Sequence, residues 1–482
     1  MRLSFTILAA LTSAVLAVPN GKIRFKPEDI IERDVVVLGG GAAGTYAAIR
    51  VRDAGKSVVV IEKDVRLGGH VHTYSPPGSP VALDFGVLAY LELPGVRDFF
   101  ARFGIDLMPA PNPGFQTQYV DFSTGRPITS GNSVQAAANP QAMQQALGTY
   151  GQLAAQYLNF TFPSLIQLPV GKDMPEDLLL PFGKFVEKYN LQAALPTIWG
   201  FTNWAGDVLR EPTAFILNHF SAVHLNATAN KGLLLPTTLN NSVLYDKAAH
   251  FLGPDVLFST TVTHAKRTDT SVRLVVHDSN GCPKLIRAKK LIVTIPPLPS
   301  ILAPLRPDER ELSVFARWIH QSAYVGVLAN TGLPDGLDVV NAVPDSSPHT
   351  LNLPGAGGVS YIWNFIFSAF PGLYRTNIIG APDLTADGAK ALVTEALAKF
   401  GEAGTFNVTE QTAWLAFGDH TPLQVRGKAV DIAKGFYQQA FALNGYKSTF
   451  YAGAAWASDY TSVHWTYLET VILPLVFKAL ES

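Results

Sequence analysis

The chain of 482 residues holds a single cysteine, Cys282, and only 16% charged residues. One cysteine excludes an intrachain disulfide framework, so the fold must rest on buried apolar surface, which a chain of this length can supply. With 37 basic and 38 acidic residues the formal charge is −1. That excludes the basic face nucleic acid requires and the acidic tail of a solvating segment. The 11 histidines are scattered, and no spacing among them suits a metal, so no metal is expected. No apolar run reaches the roughly 20 residues of a membrane span. Repeats and low-complexity linkers are missing too, so two or three domains, interleaved along the chain, are expected without marked boundaries.

What is present begins with a leader. Met1 to Ala17 joins one early cation, Arg2, to a short apolar run ending in Val15-Leu16-Ala17, with small residues where a signal peptidase reads. This reads as a secretory signal over residues 1–17. N-x-S/T triplets at Asn159, Asn226, Asn240 and Asn407 fit a secreted glycoprotein.

Asp34-Val35-Val36-Val37-Leu38 runs into Gly39-Gly40-Gly41-Ala42-Ala43-Gly44. A strand thus enters a glycine-rich turn, a helix-compatible stretch follows, and a second apolar strand, Ser57 to Glu62, completes a βαβ unit. Gly39 permits the tight turn, Gly41 lets backbone approach a pyrophosphate, and Gly44 lets helix and strand pack closely. The helix start turns N–H groups and a positive dipole end toward phosphate. Glu62, about 20 residues beyond the glycines, stands where a carboxylate meets ribose hydroxyls. The unit is read as a Rossmann-type dinucleotide site.

After Glu62 come Lys63 to Leu67, the pair Gly68-Gly69, and His70-Val71-His72-Thr73-Tyr74. This resembles the segment that follows the second strand in flavin amine oxidases, where two glycines let the chain run close along the flavin; Asp84-Phe85-Gly86-Val87 resembles the next flavin-facing segment. Val256 to Val262 is similar to the family's adenine-side strand, and Lys289 to Pro297 to its strand beneath the cofactor. Thr449 to Trp456 resembles the closing strand, and Val463 to Thr470 the last helix, which turns its start toward the flavin pyrimidine. The resemblance implies FAD, with contacts at Gly39, Gly41, Ala42, Ala43, Gly44, Glu62, Lys63, Gly68, Gly69, His70, Gly86, Val87, Val262, Gly453, Trp465 and Thr466.

Together with Trp414, Asp419-His420-Thr421-Pro422 and Gly435-Phe436-Tyr437, these segments resemble fungal secreted FAD-dependent oxidoreductases of the β-cyclopiazonate dehydrogenase type, over most of the mature chain. Two positions depart from the wider pattern. Ala454 and Ala455 stand where an acid usually follows the closing glycine, and Trp465 where a small glycine is expected.

Three residues are read as catalytic candidates: His420, whose ordinary pKa suits proton transfer, and Trp456 and Tyr460, as aromatic walls for a flat substrate. His70 has two readings, a covalent attachment point for the flavin or a hydrogen-bond partner of its ribityl chain or phosphates; His72 is a weaker candidate for both. The expected fold is α/β, a Rossmann-type FAD-binding domain from 34–110, 246–300 and 446–482, with an inserted α+β substrate domain from 111–245 and 301–445. The expected activity is hydride transfer from a small organic substrate to flavin N5, in secondary metabolism, with dioxygen reoxidising the flavin. Alternatives are a redox-neutral isomerase or desaturase of an unsaturated lipid or polyene, and a non-catalytic flavin-fold binding protein.

Overall fold

The computed structural model describes residues 25–111, 114–128, 139–228, 232–344, 353–408 and 411–481, so the expected leader lies outside the described residues. The first sheet is built on β1 (Ile30–Leu38), which α1 (Ala42–Asp53) connects to β2 (Val58–Ile61). These two strands are parallel, in register from Val35 opposite Val58 to Leu38 opposite Ile61. Their valines at 35–37 and 58–60 are 0–1% exposed. Such continuous apolar runs are what a sheet covered on both faces needs, and each valine stabilises by roughly 1.5–3 kcal/mol.

The rest of the sheet arrives from far along the chain: β3 (Val256–Leu257), β4 (Thr261–Arg267), β5 (Val272–His277), β6 (Pro283–Val293) and β7 (Thr449–Tyr451). The spatial order is β3-β2-β1-β6-β5-β4, and the upper end of β6 takes β7 as a parallel neighbour. β4, β5 and β6 form an antiparallel meander that stays attached through the long strand β6. The last helix begins with α2 (Thr461–Tyr467) and lies against α1. A buried bidentate pair joins Arg267 of β4 to Glu311, which also accepts from Tyr451 Oη of β7 at 2.9 Å.

Between Pro140 and Leu252 the chain is mainly helical, from Pro140–Gln156 to Ser242–Leu252. A second, eight-stranded sheet is mostly antiparallel, with Ile319–Ala329 paired to Tyr374–Gly380, Ala413–Asp419 and Leu423–Arg426. The helix Ala386–Glu402 shares a separate apolar core with this sheet through Val393, Leu397 and Phe400. The architecture is α/β, with a Rossmann-type unit and an added helical and sheet portion. No described helix is long and apolar enough to cross a membrane.

Candidate active site

At the end of β1, Gly39 takes φ +100°, and its N–H reaches Ile61 O at 2.9 Å. A Cβ on Gly44 would fall 1.8 Å from Gly39 O, so only glycine lets α1 pack onto the turn. Gly41 differs, because a Cβ there would meet nothing nearer than Gly69 Cα at 3.8 Å. Gly41 therefore sits in ordinary contact with Gly69 and could carry a Cβ without a clash, with Ala42 and Ala43 in the first turn of a 12-residue helix beside it.

Glu62 is buried, and its two oxygens accept from Gly40 N at 2.5 Å and Asp64 N at 2.8 Å. Burial raises its pKa, and one lone pair remains on each oxygen. Lys63 is exposed. The segment flanking Glu62 is not the strand expected through Val262. Glu62 N donates to Leu257 O, and Thr260 N to Glu62 O, while Ser259 at φ +48° breaks 256–262 into β3 and β4. Val262 is thereby moved to the edge strand, where it pairs with Val276 and joins the core.

Gly68 (φ +112°) and Gly69 (φ +55°) fold the next segment onto the turn, and Gly68 N donates to Gly40 O at 2.9 Å. Val87 N donates to His70 O at 3.1 Å, and a Cβ on Gly86 would fall 2.0 Å from that oxygen. The 84–87 segment thus runs against 70–72. His420, directly after the strand Ala413–Asp419, meets this pair: its ring stacks on His70 at 4.2 Å and 13°, and on His72 at 5.1 Å and 16°. Burial first, then the neighbouring positive groups, pushes His70 and His72 down to about 4 and His420 well below its ordinary value. All three are neutral at neutral pH. Arg66 donates to His72 Nδ1 at 3.0 Å, which places the His72 proton on Nε2.

Gly453 takes φ +101° beside Thr294 O. Beyond it the aromatic expectations change. Trp456 is buried against Trp318 and Tyr451, within the core. Trp465 is buried too: it stacks on Tyr46 at 5.2 Å, touches Phe99, and donates from Nε1 to Ala42 O at 3.2 Å. Its bulk docks α2 onto α1, so the side chain is spent on packing. Thr466 bonds back to Ser462 O at 3.0 Å within the helix. Tyr460 is part-buried, with its hydroxyl toward Phe201 O and its ring against His224.

Near the start of α2, buried polar atoms without partners include Ser458 Oγ, Ser462 Oγ and both ring nitrogens of His464, with Gln424 Oε1 and His224 Nε2 on side chains that meet Asp459 and Tyr460; His420 Nε2, stacked on His70, is another. Buried polar atoms are nearly always bonded, so water or a bound group is expected to satisfy these. Asp459, His219, His224 and Gln424 belong to this neighbourhood, and the sequence reading did not select them. They lie on separate elements with no local spacing to announce them; only the nearness of Asp459 to Tyr460 was a signal.

Residues 37–103 match the family description of an NAD(P)-binding Rossmann-like domain. Over 98% of both chains the protein is 34% identical to the FAD-dependent oxidoreductase pigF of Monascus ruber. It is 33% identical to β-cyclopiazonate dehydrogenase of Aspergillus flavus, over 96% of each. Among solved structures, a fatty acid isomerase from P. acnes superposes with TM-score 0.71 at 19% identity, covering 92% of this chain and 98% of that one. A putrescine oxidase variant gives TM-score 0.63 at 16% identity, over 93% and 100%. The fold is that of the flavin amine oxidases, and by its full-length relatives the chain belongs to the FAD-dependent oxidoreductases that include β-cyclopiazonate dehydrogenase.

Proposed function

We propose that the protein oxidises a small organic substrate of secondary metabolism in the space before His70, His72 and His420, with FAD held along the turn at Gly39–Gly44 and the segment at Gly68–His70. The observation that carries this reading is the glycine turn itself, with Gly39 at φ +100°, Gly44 packed on Gly39 O at the start of α1, and Gly41 and Gly69 in glycine-to-glycine contact beside them. It fits a pyrophosphate, and the unpartnered atoms near α2 fit a cofactor rich in hydrogen-bonding groups. FAD, when bound, supplies the hydride acceptor, and on this reading dioxygen restores it. The chain's part is to hold Glu62 for the ribose, to keep three imidazoles uncharged, and to exclude water behind Phe85 and the second sheet.

His70 follows the paired glycines and is kept neutral, which leaves a ring nitrogen able to carry a covalent link to the flavin. Acid precipitation tests the link. Yellow colour that stays with the polypeptide, and leaves it in His70→Ala, establishes the bond; colour released from wild type reduces His70 to a contact. Peroxide formed with substrate separates oxidase from isomerase or desaturase, and flavin never reduced across a broad substrate panel indicates a binding protein.

The division into an FAD-binding part (34–110, 246–300, 446–482) and a substrate part is supported by the segments that supply the first sheet. Export through the leader is also part of the proposal. Asn159, Asn226 and Asn407 are exposed, whereas Asn240 is half-buried with its Oδ1 engaged by Ser242 N. Glycosidase treatment of exported protein should lower its mass; an unchanged mass and an intact leader count against export.

A further inference from the structure

Asp459 lies immediately before α2, facing His219 at the end of the helix Thr213–His219, with Asp459 Oδ1 and His219 Nε2 3.8 Å apart. That is longer than a hydrogen bond. His219 Nδ1 lies 3.0 Å from Phe215 O, and a carbonyl only accepts, so the proton sits on Nδ1 and Nε2 presents a lone pair. Gln424 spends its Nε2 on Asp459 Oδ2, while its Oε1 is buried without a partner. Gln424 also holds φ +52°, a strained conformation for a side chain of this kind, and such strain gathers at functional sites. Three acceptors therefore converge: Asp459 Oδ1, His219 Nε2 and Gln424 Oε1.

Two neighbouring donors are already engaged, whereas the Ser458 and Ser462 hydroxyls beside them have no partner. Tyr460 Oη faces Phe201 O, and Arg426 is bound to Glu211, Gln424 O and Ala205 O. The Asp459 side chain keeps 18% exposure against 4% for His219. Part-buried aromatics follow on the stretch whose Phe201 O faces Tyr460 Oη: Phe201, stacked on Phe220 at 4.6 Å, and Trp204, edge-on to Trp363, flat surfaces of the kind a conjugated body needs.

We propose that Asp459 and His219, positioned by Gln424, form the polar end of the substrate site and take an O–H or N–H donor carried on a flat conjugated body. This rests on the oxidoreductase reading above and adds to it which end of the substrate is recognised. Burial holds His219 neutral and raises the Asp459 carboxyl above its ordinary value, and the Arg426–Glu211 pair cancels, so this end of the site carries little charge.

The test uses purified, flavin-loaded protein and two probes, β-naphthol and its methyl ether, which differ only in the donor. Calorimetric titration is expected to show the ether bound at least about tenfold more weakly, the cost of leaving buried acceptors unpaired. In Asp459→Asn the amide can still accept from Gln424 and can also donate to His219 Nε2. Flavin content and thermal midpoint are therefore expected to hold, while the preference for β-naphthol disappears. A merely structural Asp459 would keep the preference. Equal binding of the two probes by wild type, binding of neither at millimolar concentration, or a preference retained in Asp459→Asn overturns the proposal. The wild-type comparison stands even where the variant folds poorly. Protein that carries no flavin would sink the oxidoreductase reading instead, on a separate readout.

Discussion

Imidazoles packed face to face can share a low-dielectric site only if they are uncharged, because a proton on one raises the cost of a proton on the next. His70 and His72 are held near 4, below the ordinary 6.5, so the folded state refuses protons that the unfolded chain takes up as pH falls below about 6.5. The stability these residues contribute is complete above that pH and is lost progressively down to about 4. Asp84 acts with the opposite sign. Its pKa is raised from 3.8 to about 6 by burial, so protonation in the same window favours the folded state. Two histidines outweigh one aspartate, and the thermal midpoint should fall between pH 6.5 and 4. Asp84→Asn removes one of the opposing carboxyls, which also include Glu62, and should steepen that fall. A midpoint flat across this window, in wild type and variant, would show that the histidines are charged or exposed in the folded protein.

At the scale of the element, the turn between β1 and α1 separates two uses of glycine. Gly44 is a packing requirement, since a methyl group there would overlap Gly39 O. Gly41, at φ −67°, has a backbone that alanine adopts freely, and a Cβ there would only touch Gly69 Cα at 3.8 Å. Gly44→Ala should cost about 1–3 kcal/mol in thermal or denaturant unfolding, together with flavin. Gly41→Ala should leave stability within about 0.5 kcal/mol while lowering the flavin bound per polypeptide. Equal loss of stability in both variants would remove the argument that Gly41 is kept as glycine for a ligand. This turn was legible because strand, glycines and helix lie side by side in sequence and carry strong local patterns. The stretch 256–262 misled, because the reversal at Ser259 puts a serine at positive φ, a conformation with no compositional mark. Trp456 and Trp465 misled for a related reason: an aromatic side chain looks the same in sequence whether it faces a ligand or, like Trp465, joins two helices.

For the whole molecule, the α/β architecture was readable from the order of its pieces, although β7 reaches β6 only after a long excursion through the second sheet. His420 was singled out from its local sequence, but its stacking on His70 was invisible until the second sheet carried it there. The meeting of Asp459, His219 and Gln424 is likewise a product of three distant elements, and the same assembly places the unpartnered polar atoms together beside α2. The features assigned to a ligand lie on elements that the chain brings together from the glycine turn, the second sheet and α2. The visible absorption spectrum of the purified full chain tests this most directly. The account predicts the two-banded spectrum of oxidised flavin at about one flavin per polypeptide, consistent with one Rossmann unit per chain. A well-folded protein that is colourless, and stays so after incubation with FAD, would contradict it.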